Sequence, residues 1–316
     1  MNLLTRGTSA FCLLLAGVAA TAQPAPAATA GTAAAATGTY EPRRGQAGKD
    51  VIWIATPDAA VDRMLQMAEL RATDRLVDLG SGDGKIPITA ARNFGARARG
   101  LEYNPDLVQL SRRRAQEAGV ADQVEFQQAD IFVTDFSQAD VVTMYLLPEL
   151  NLRLRPILFG MAPGTRVVSH SFTMGDWQPD ETSRTDTATL YLWRIPANVS
   201  GSWQLGAVPG LAKAPQRLQL RQHRQMVEGE AQYGALATSA QRPVLSGDRL
   251  SFGLRDADGA PLAVQARVQG DTMRGTLTTA AGQAHAFEAR RAGAPAPIAG
   301  VVASQPELDA AARALN

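Results

Sequence analysis

Residues 76–88, LVDLGSGDGKIPI, constrain the fold more than any other stretch of the chain. A short apolar run ends in an acid, Asp78. Glycines then recur at every second position, Gly80, Gly82 and Gly84, ahead of a segment with helical spacing. A buried strand that turns on bare backbone into a helix is the opening unit of a parallel α/β sheet, where ligands sit beyond the strand carboxyl ends. Glycine lets the chain turn tightly and approach a ligand with no Cβ in the way. Two common uses of such a turn fail on spacing. A Walker loop needs G-x-x-x-x-G-K-[ST]; here Gly84-Lys85 comes one residue early and Ile86 replaces the hydroxyl that would hold magnesium. A dinucleotide fingerprint, G-x-G-x-x-G, would put its third glycine at Lys85.

The surrounding sequence repeats the same unit. TPDAAVDRMLQMAEL carries Pro57 at a helix start, then Val61, Met64, Leu65 and Leu70 at helical spacing. RLVDLG, ARARGLEY, QVEFQQAD, ADVVTMYL and TRVVSHSF read as strands. KIPITAARNF, PDLVQLSRRRAQEAG and PELNLRLRPILFGM read as helices. TATLYLWRIP closes the series as a strand, joined without a helix to a short one near Glu181–Asp186, which predicts an antiparallel edge pair. Residues 51–196 are therefore expected to form a doubly wound, mostly parallel sheet.

The flanks differ. Arg6, the apolar run Phe11–Ala20 and the small-x-small ending Ala20-Thr21-Ala22 predict a cleavable signal peptide over 1–22, hence a periplasmic or secreted protein. That run is too short for a stable membrane span. Cys12, the only cysteine, lies inside it, so the mature chain has no disulfide, thiol nucleophile or cysteine-held metal. Residues 23–50, mostly Ala, Thr, Pro and Gly, are expected as a disordered linker. Past Pro196 helical spacing ends. QRLQLRQ, LSFGL, LAVQARVQ and MRGTLTT alternate apolar and polar residues between turns at Asp258-Gly259 and Gly270-Asp271, which predicts an antiparallel sandwich or barrel over 200–291. Residues 292–316 are expected as a flexible tail, with a helical turn or two in PELDAAARALN. Basic and acidic side chains number 31 and 30, so no global charge favours a nucleic-acid partner.

The pattern D-x-G-x-G-x-G at Asp78, Gly80, Gly82 and Gly84 resembles motif I of class I S-adenosylmethionine-dependent methyltransferases. With TPDAAVDRML, GLEYNPDLV, YLLPELNLRLRP and PGTRVVSHSFTMGDWQPD, residues 51–196 resemble a bacterial branch related to the mitochondrial lysine methyltransferases of ATP synthase c-subunit and adenine nucleotide translocase. The resemblance implies a Rossmann-like, seven-stranded methyltransferase sheet followed by the smaller all-β domain. It implies S-adenosylmethionine as cofactor. Asp78 would meet the ligand ammonium and the loop N–H groups its carboxylate. Glu102, ending the second strand, would bind the ribose. Asp130 would contact the adenine amino group, with Ile131 flanking the ring, and Thr56 completes the expected cofactor set.

Methyl transfer is an in-line displacement, so alignment and exclusion of water dominate. The reacting groups should lie beyond the strand carboxyl ends, which selects Tyr145, Pro148 and Glu149 after the fourth strand and His170 after the fifth. No histidines or carboxylates fall at metal-ligand spacing. A protein lysine amine is the expected methyl acceptor. A small-molecule acceptor, or a non-catalytic periplasmic binding protein on the same fold, stands as the alternative.

Overall fold

The structure, a computed structural model, describes residues 40–43, 45 and 54–313. The expected signal peptide and most of the linker lie outside the described residues. Helix α1 (Asp58–Met67) starts after Pro57 and buries Val61, Met64 and Leu65 at helical spacing. The alternating series follows as β1 (Arg75–Leu79), α2 (Lys85–Phe94), β2 (Arg97–Glu102), α3 (Pro105–Glu117), β3 (Val124–Gln128), β4 (Val141–Met144), α4 (Pro148–Phe159), β5 (Arg166–His170), β6 (Glu181–Arg184) and β7 (Thr189–Arg194). Local chemistry fixes several of these ends. Asn104 caps α3, its side chain accepting from the Asp106 and Leu107 amides, with Pro105 at the first helical position. Helix α2 stops at Gly95 in the left-handed region.

The first sheet has seven strands in the order β3-β2-β1-β4-β5-β7-β6. Strands β1 to β5 pair in parallel, and β7 runs antiparallel between β5 and β6. The chain winds outward from β1 through β2 and β3, then returns to place β4 on β1's other side. The reversal leaves a crevice above the carboxyl ends of β1 and β4, the usual ligand position of open α/β sheets. Each sheet face is a core: Leu76, Val141 and Val168 pack with α1 and α2, while Val77, Leu79 and Met144 pack with α4, Trp177 and Trp193.

The second sheet comprises β8 (Gly201–Leu205), β9 (Arg217–His223), β10 (Met226–Tyr233), β11 (Leu236–Ser239), β12 (Gln241–Ser246), β13 (Arg249–Arg255), β14 (Pro261–Gln269), β15 (Thr272–Thr279) and β16 (Ala284–Ala292). All neighbours are antiparallel, in the order β11-β10-β9-β8-β16-β15-β14-β13-β12. Its two edge strands, β11 and β12, are halves of one stretch broken at Ala240. The first half pairs with β10 and the second with β13. Across that seam Ala240 N donates to Gly229 O at 2.8 Å, and Thr238 Oγ1 to Arg255 O at 3.0 Å. The sheet therefore closes into a barrel, which removes its exposed edges. Trp203, Leu218, Phe252, Val264 and Phe287 fill it.

Two segments outside the repeating elements are fastened by specific contacts. The link from β7 to β8 is held: Ala197 N donates to Gly247 O and Val199 N to Gln222 Oε1, each at 2.8 Å. The region expected as a flexible tail carries helix α5 (Gln305–Arg313), and Ala299 bridges to His223 at the end of β9. Alternation patterns reveal strands but not the side-chain partners that fasten a non-repetitive segment. Among the described residues, no helix is long and apolar enough to cross a membrane.

Candidate functional site

Asp78, next to last in β1, is only 3% exposed, its Oδ1 accepting from Thr143 Oγ1 at 2.7 Å; the two residues are register partners on adjacent strands. Burial pushes its carboxyl up to about 7, the Thr143 bond opposing this and the Glu102 and Asp83 carboxylates adding to it. No cation contacts Asp78 among the described residues. A buried carboxylate without a counter-charge is costly, and a ligand ammonium would offset that cost.

All three glycines of the loop have positive φ: 74° at Gly80, 54° at Gly82 and 81° at Gly84. Their reasons differ. A Cβ on Gly84 would sit 2.6 Å from the Phe126 ring and 2.8 Å from Ser111 Cβ, so this glycine serves helix–strand packing rather than a ligand. The loop amides expected to face a ligand carboxylate are largely spent inside the fold. Gly80 N and Ser81 N donate to Leu101 O, Gly84 N to Ser81 O, and Gly82 N to Glu102 Oε2 at 2.9 Å. That last bond, with Asn104 N on Oε1 at 2.9 Å, fixes the Glu102 carboxylate beside the loop. Each oxygen keeps a lone pair suited to a ribose hydroxyl.

Asp130 begins the turn after β3, its Oδ1 accepting from Phe132 N at 2.9 Å, and Ile131 is partly buried against the core below. Thr56, just ahead of α1, is buried. The structure thus joins Gly82 to Glu102 by a direct hydrogen bond, places Asp78 close enough to feel the Glu102 charge, and sets Asp130 just past the end of the strand next to β2.

On the other side of β1, Tyr145 follows β4 and packs its ring 3.9 Å from that of His170, with Phe172 at 6.1 Å. His170 is 3% exposed, its Nδ1 has no hydrogen-bond partner, and burial lowers its pKa to about 4, so the imidazole is neutral near pH 7. Pro148 is the first residue of α4; Glu149 follows it in the first helical turn, exposed, where the helix dipole favours a carboxylate.

Several residues of the site escaped the sequence. Thr143 and Asn151 sit inside apolar runs. Asn151 is wholly buried and its Nδ2 donates to Thr173 O at 3.1 Å and Phe172 O at 3.3 Å, pinning the chain that leaves β5. Ser171 in that chain has φ 64°. Asp83 pairs with Arg114 of α3, anchoring the glycine loop from outside. Only the S-x-x-R spacing of Ser111 and Arg114 marks that face of α3, and it names no partner.

Residues 78–181 match the family model of the ANTKMT methyltransferase domain. The protein-lysine N-methyltransferase of Saccharolobus islandicus (strain REY15A) is 38% identical over 151 residues, 46% of this chain and 94% of that protein. The Rattus norvegicus lysine N-methyltransferase of the ATP synthase c-subunit is 35% identical over 138 residues, 43% of this chain and 63% of that protein. Among solved structures, an RNA methyltransferase from Salinibacter ruber in complex with S-adenosyl-L-homocysteine shares 56% identity, covering 46% of this chain and 96% of that one, with a TM-score of 0.46. The family match ends before the barrel begins.

Proposed function

Since this chain belongs to the family of S-adenosylmethionine-dependent lysine methyltransferases, we propose that it methylates the side-chain amine of a protein lysine. The observation that carries the reading is a juxtaposition. A buried carboxylate with no counter-charge, Asp78, is joined through Thr143 and β4 to a neutral aromatic wall, Tyr145 and His170. The first suits the ammonium of an amino-acid-bearing cofactor. The second suits an uncharged amine.

Asp78 holds the ligand ammonium, Glu102 the ribose hydroxyls, and Asp130 with Ile131 the adenine. The bound cofactor supplies an electrophilic methyl carbon on a sulfonium. The chain's own task is then to present an amine lone pair in line and keep water out. Tyr145, His170 and Phe172 give flat faces that orient the amine. Because His170 stays uncharged, it adds no repulsion against a cationic reaction centre. Pro148 fixes the backbone where the chain leaves the sheet, and Glu149 at the rim draws the departing proton toward solvent. An RNA acceptor is disfavoured by the exposed Glu149 carboxylate on the acceptor side, which repels phosphates. The reaction is proposed to take place outside the cytosol, a reading supported by the order of Arg6, apolar core and small residues.

The test is incubation of the purified full chain with methyl-labelled S-adenosylmethionine and, separately, envelope protein, RNA and small-molecule extracts. Label recovered as methyl-lysine after protein hydrolysis is expected. Label confined to RNA or to small molecules overturns the lysine reading.

A further inference from the structure

Arg155, on α4, is fully buried, yet it is a guanidinium inside a helix that faces the β5–β6 connection. Its charge is met mainly from the far end of the chain. Nη1 and Nη2 bond Glu307 Oε1 and Oε2 of α5 at 2.8 and 3.2 Å, a two-pronged pair. Nε donates to Val301 O at 2.8 Å. The same Nη1 reaches back to Met174 O at 3.0 Å and to Asp176 Oδ1 at 3.3 Å, both in the segment that follows His170 and Phe172. The barrel joins the cluster. Arg224, after β9, lies 2.5 Å from Asp176 Oδ1 and donates through Nε to Gly300 O at 2.8 Å. Gln225 Nε2 donates to Gln178 O at 2.6 Å.

Two glycines show that the approach is built in. A Cβ on Gly175, at φ +66°, would fall 2.7 Å from Glu307 Oε1 and 2.8 Å from Leu152 Cδ2. One on Gly300, at φ +76°, would fall 2.5 Å from His223 Nε2. Glu307 is itself preset. Ser304 N and Oγ both donate to its Oε2, at 2.8 and 3.0 Å, so the carboxylate closes the start of α5 while presenting Oε1 to Arg155 and, at 3.4 Å, to Asp176 N.

We propose that the barrel and C-terminal helix act as a clamp on residues 171–177, with Glu307, Arg155, Asp176 and Arg224 as positioning residues that set the Tyr145–His170–Phe172 wall from outside the methyltransferase sheet. The clamp takes no part in holding the cofactor, whose acids lie on β1, on β2 and just past β3. Asn151 pins the same segment from within α4, so residues 172–176 are held from two directions. This rests on the reading of that wall as the acceptor side.

The experiment compares full-length wild type, Glu307→Gln and Asp176→Asn. Asp176 is 56% exposed at its side chain, so its variant keeps the test alive if the buried change prevents folding. Four measurements are made: amide hydrogen exchange over 171–177, the His170 ring resonances, affinity for S-adenosyl-L-homocysteine, and methyl transfer read as methyl-lysine. The expected result is faster exchange confined to 171–177 and a displaced His170 signal as Tyr145 moves off its ring. Affinity for S-adenosyl-L-homocysteine should stay within about twofold, since its ligands are untouched. Unchanged exchange overturns the proposal, and so does acceleration spread evenly over both sheets, which is plain destabilisation. Normal methyl transfer alongside a loosened loop overturns the link to acceptor placement and leaves the proposed function standing. Absence of methyl-lysine with wild type overturns that function, while exchange still decides the clamp.

Discussion

Asp78 and His170 pull the protein's stability in opposite directions as pH changes. The Asp78 carboxyl is raised from 3.8 to about 7, so in the free protein its contribution is full below the unfolded value and is lost as pH rises toward 7. His170 is lowered from 6.5 to about 4, so its contribution is full above pH 6.5 and is lost on acidification toward 4. The slopes oppose across that window. His170→Gln should therefore melt at lower temperature at pH 7 than at pH 5, and Asp78→Asn should do the reverse; scanning calorimetry across that range checks both. Binding adds a second consequence. A ligand ammonium needs ionised Asp78, so affinity for S-adenosyl-L-homocysteine should fall by up to about tenfold per pH unit below 7. Calorimetry in buffers of different ionisation heat should show proton release, and Asp78→Asn should abolish both effects. At this scale the sequence was legible where an acid ends an apolar run, as at Asp78 and Glu102. It was silent at Thr143, whose hydroxyl finds its carboxylate 65 residues away, and at Asn151, a polar group whose amide is spent on carbonyls of a folded turn.

Among elements, the glycine loop and the first turn of α4 carry the sharpest expectations. Gly84→Ala meets both a left-handed φ and the Phe126 ring, and should cost about 1–3 kcal/mol, read as a fall in denaturant midpoint, even with no ligand present. For α4 the question is whether Glu149 acts on the acceptor or only on its own helix. Glu149→Gln should lower turnover at least about tenfold with cofactor affinity nearly unchanged. If the residue serves only the helix end, its loss costs about 0.3–1 kcal/mol of stability and turnover stays intact. The alternating elements of residues 51–196 could be read because each has a period and punctuation of its own: Pro105 and Pro148 at helix starts, Gly95 at a helix end. In the barrel the long strands β9, β13 and β14 alternate cleanly and were legible, and β15 was legible from Met273 and Leu277 despite Gly275 between them. Strand β10 holds Gly229 and Ala231 among its inward positions, and β12 is broken by a register shift at Gln241–Val244, so neither displays a period.

For the whole molecule, two expectations concern its ends. Protein taken from its native host should begin near Gln23 on N-terminal sequencing; an intact Met1 in the cytosolic fraction would remove the export reading. A fragment ending at residue 196 loses Val301, Glu307 and α5, the groups that pair and cover Arg155, so that guanidinium is opened to solvent and residues 171–177 lose their outer support. That fragment should fold and bind S-adenosyl-L-homocysteine but melt below the full chain, with faster amide exchange over 171–177; circular dichroism, calorimetry and hydrogen exchange check this. The division into two sheets was visible as a change of period near Pro196. The tie between them was not, because Arg155 and Glu307 stand 152 positions apart and each alone reads as an ordinary charged residue on a helix. That separation also sets an order in time. The C-terminus is the last part of any chain to be synthesised, and the barrel cannot close until β16 reaches β8. The oldest half of the nascent chain thus waits on the youngest for its final contact. Pairings so distant in sequence form late, so a prematurely terminated product can acquire the nucleotide crevice but never a finished wall opposite it.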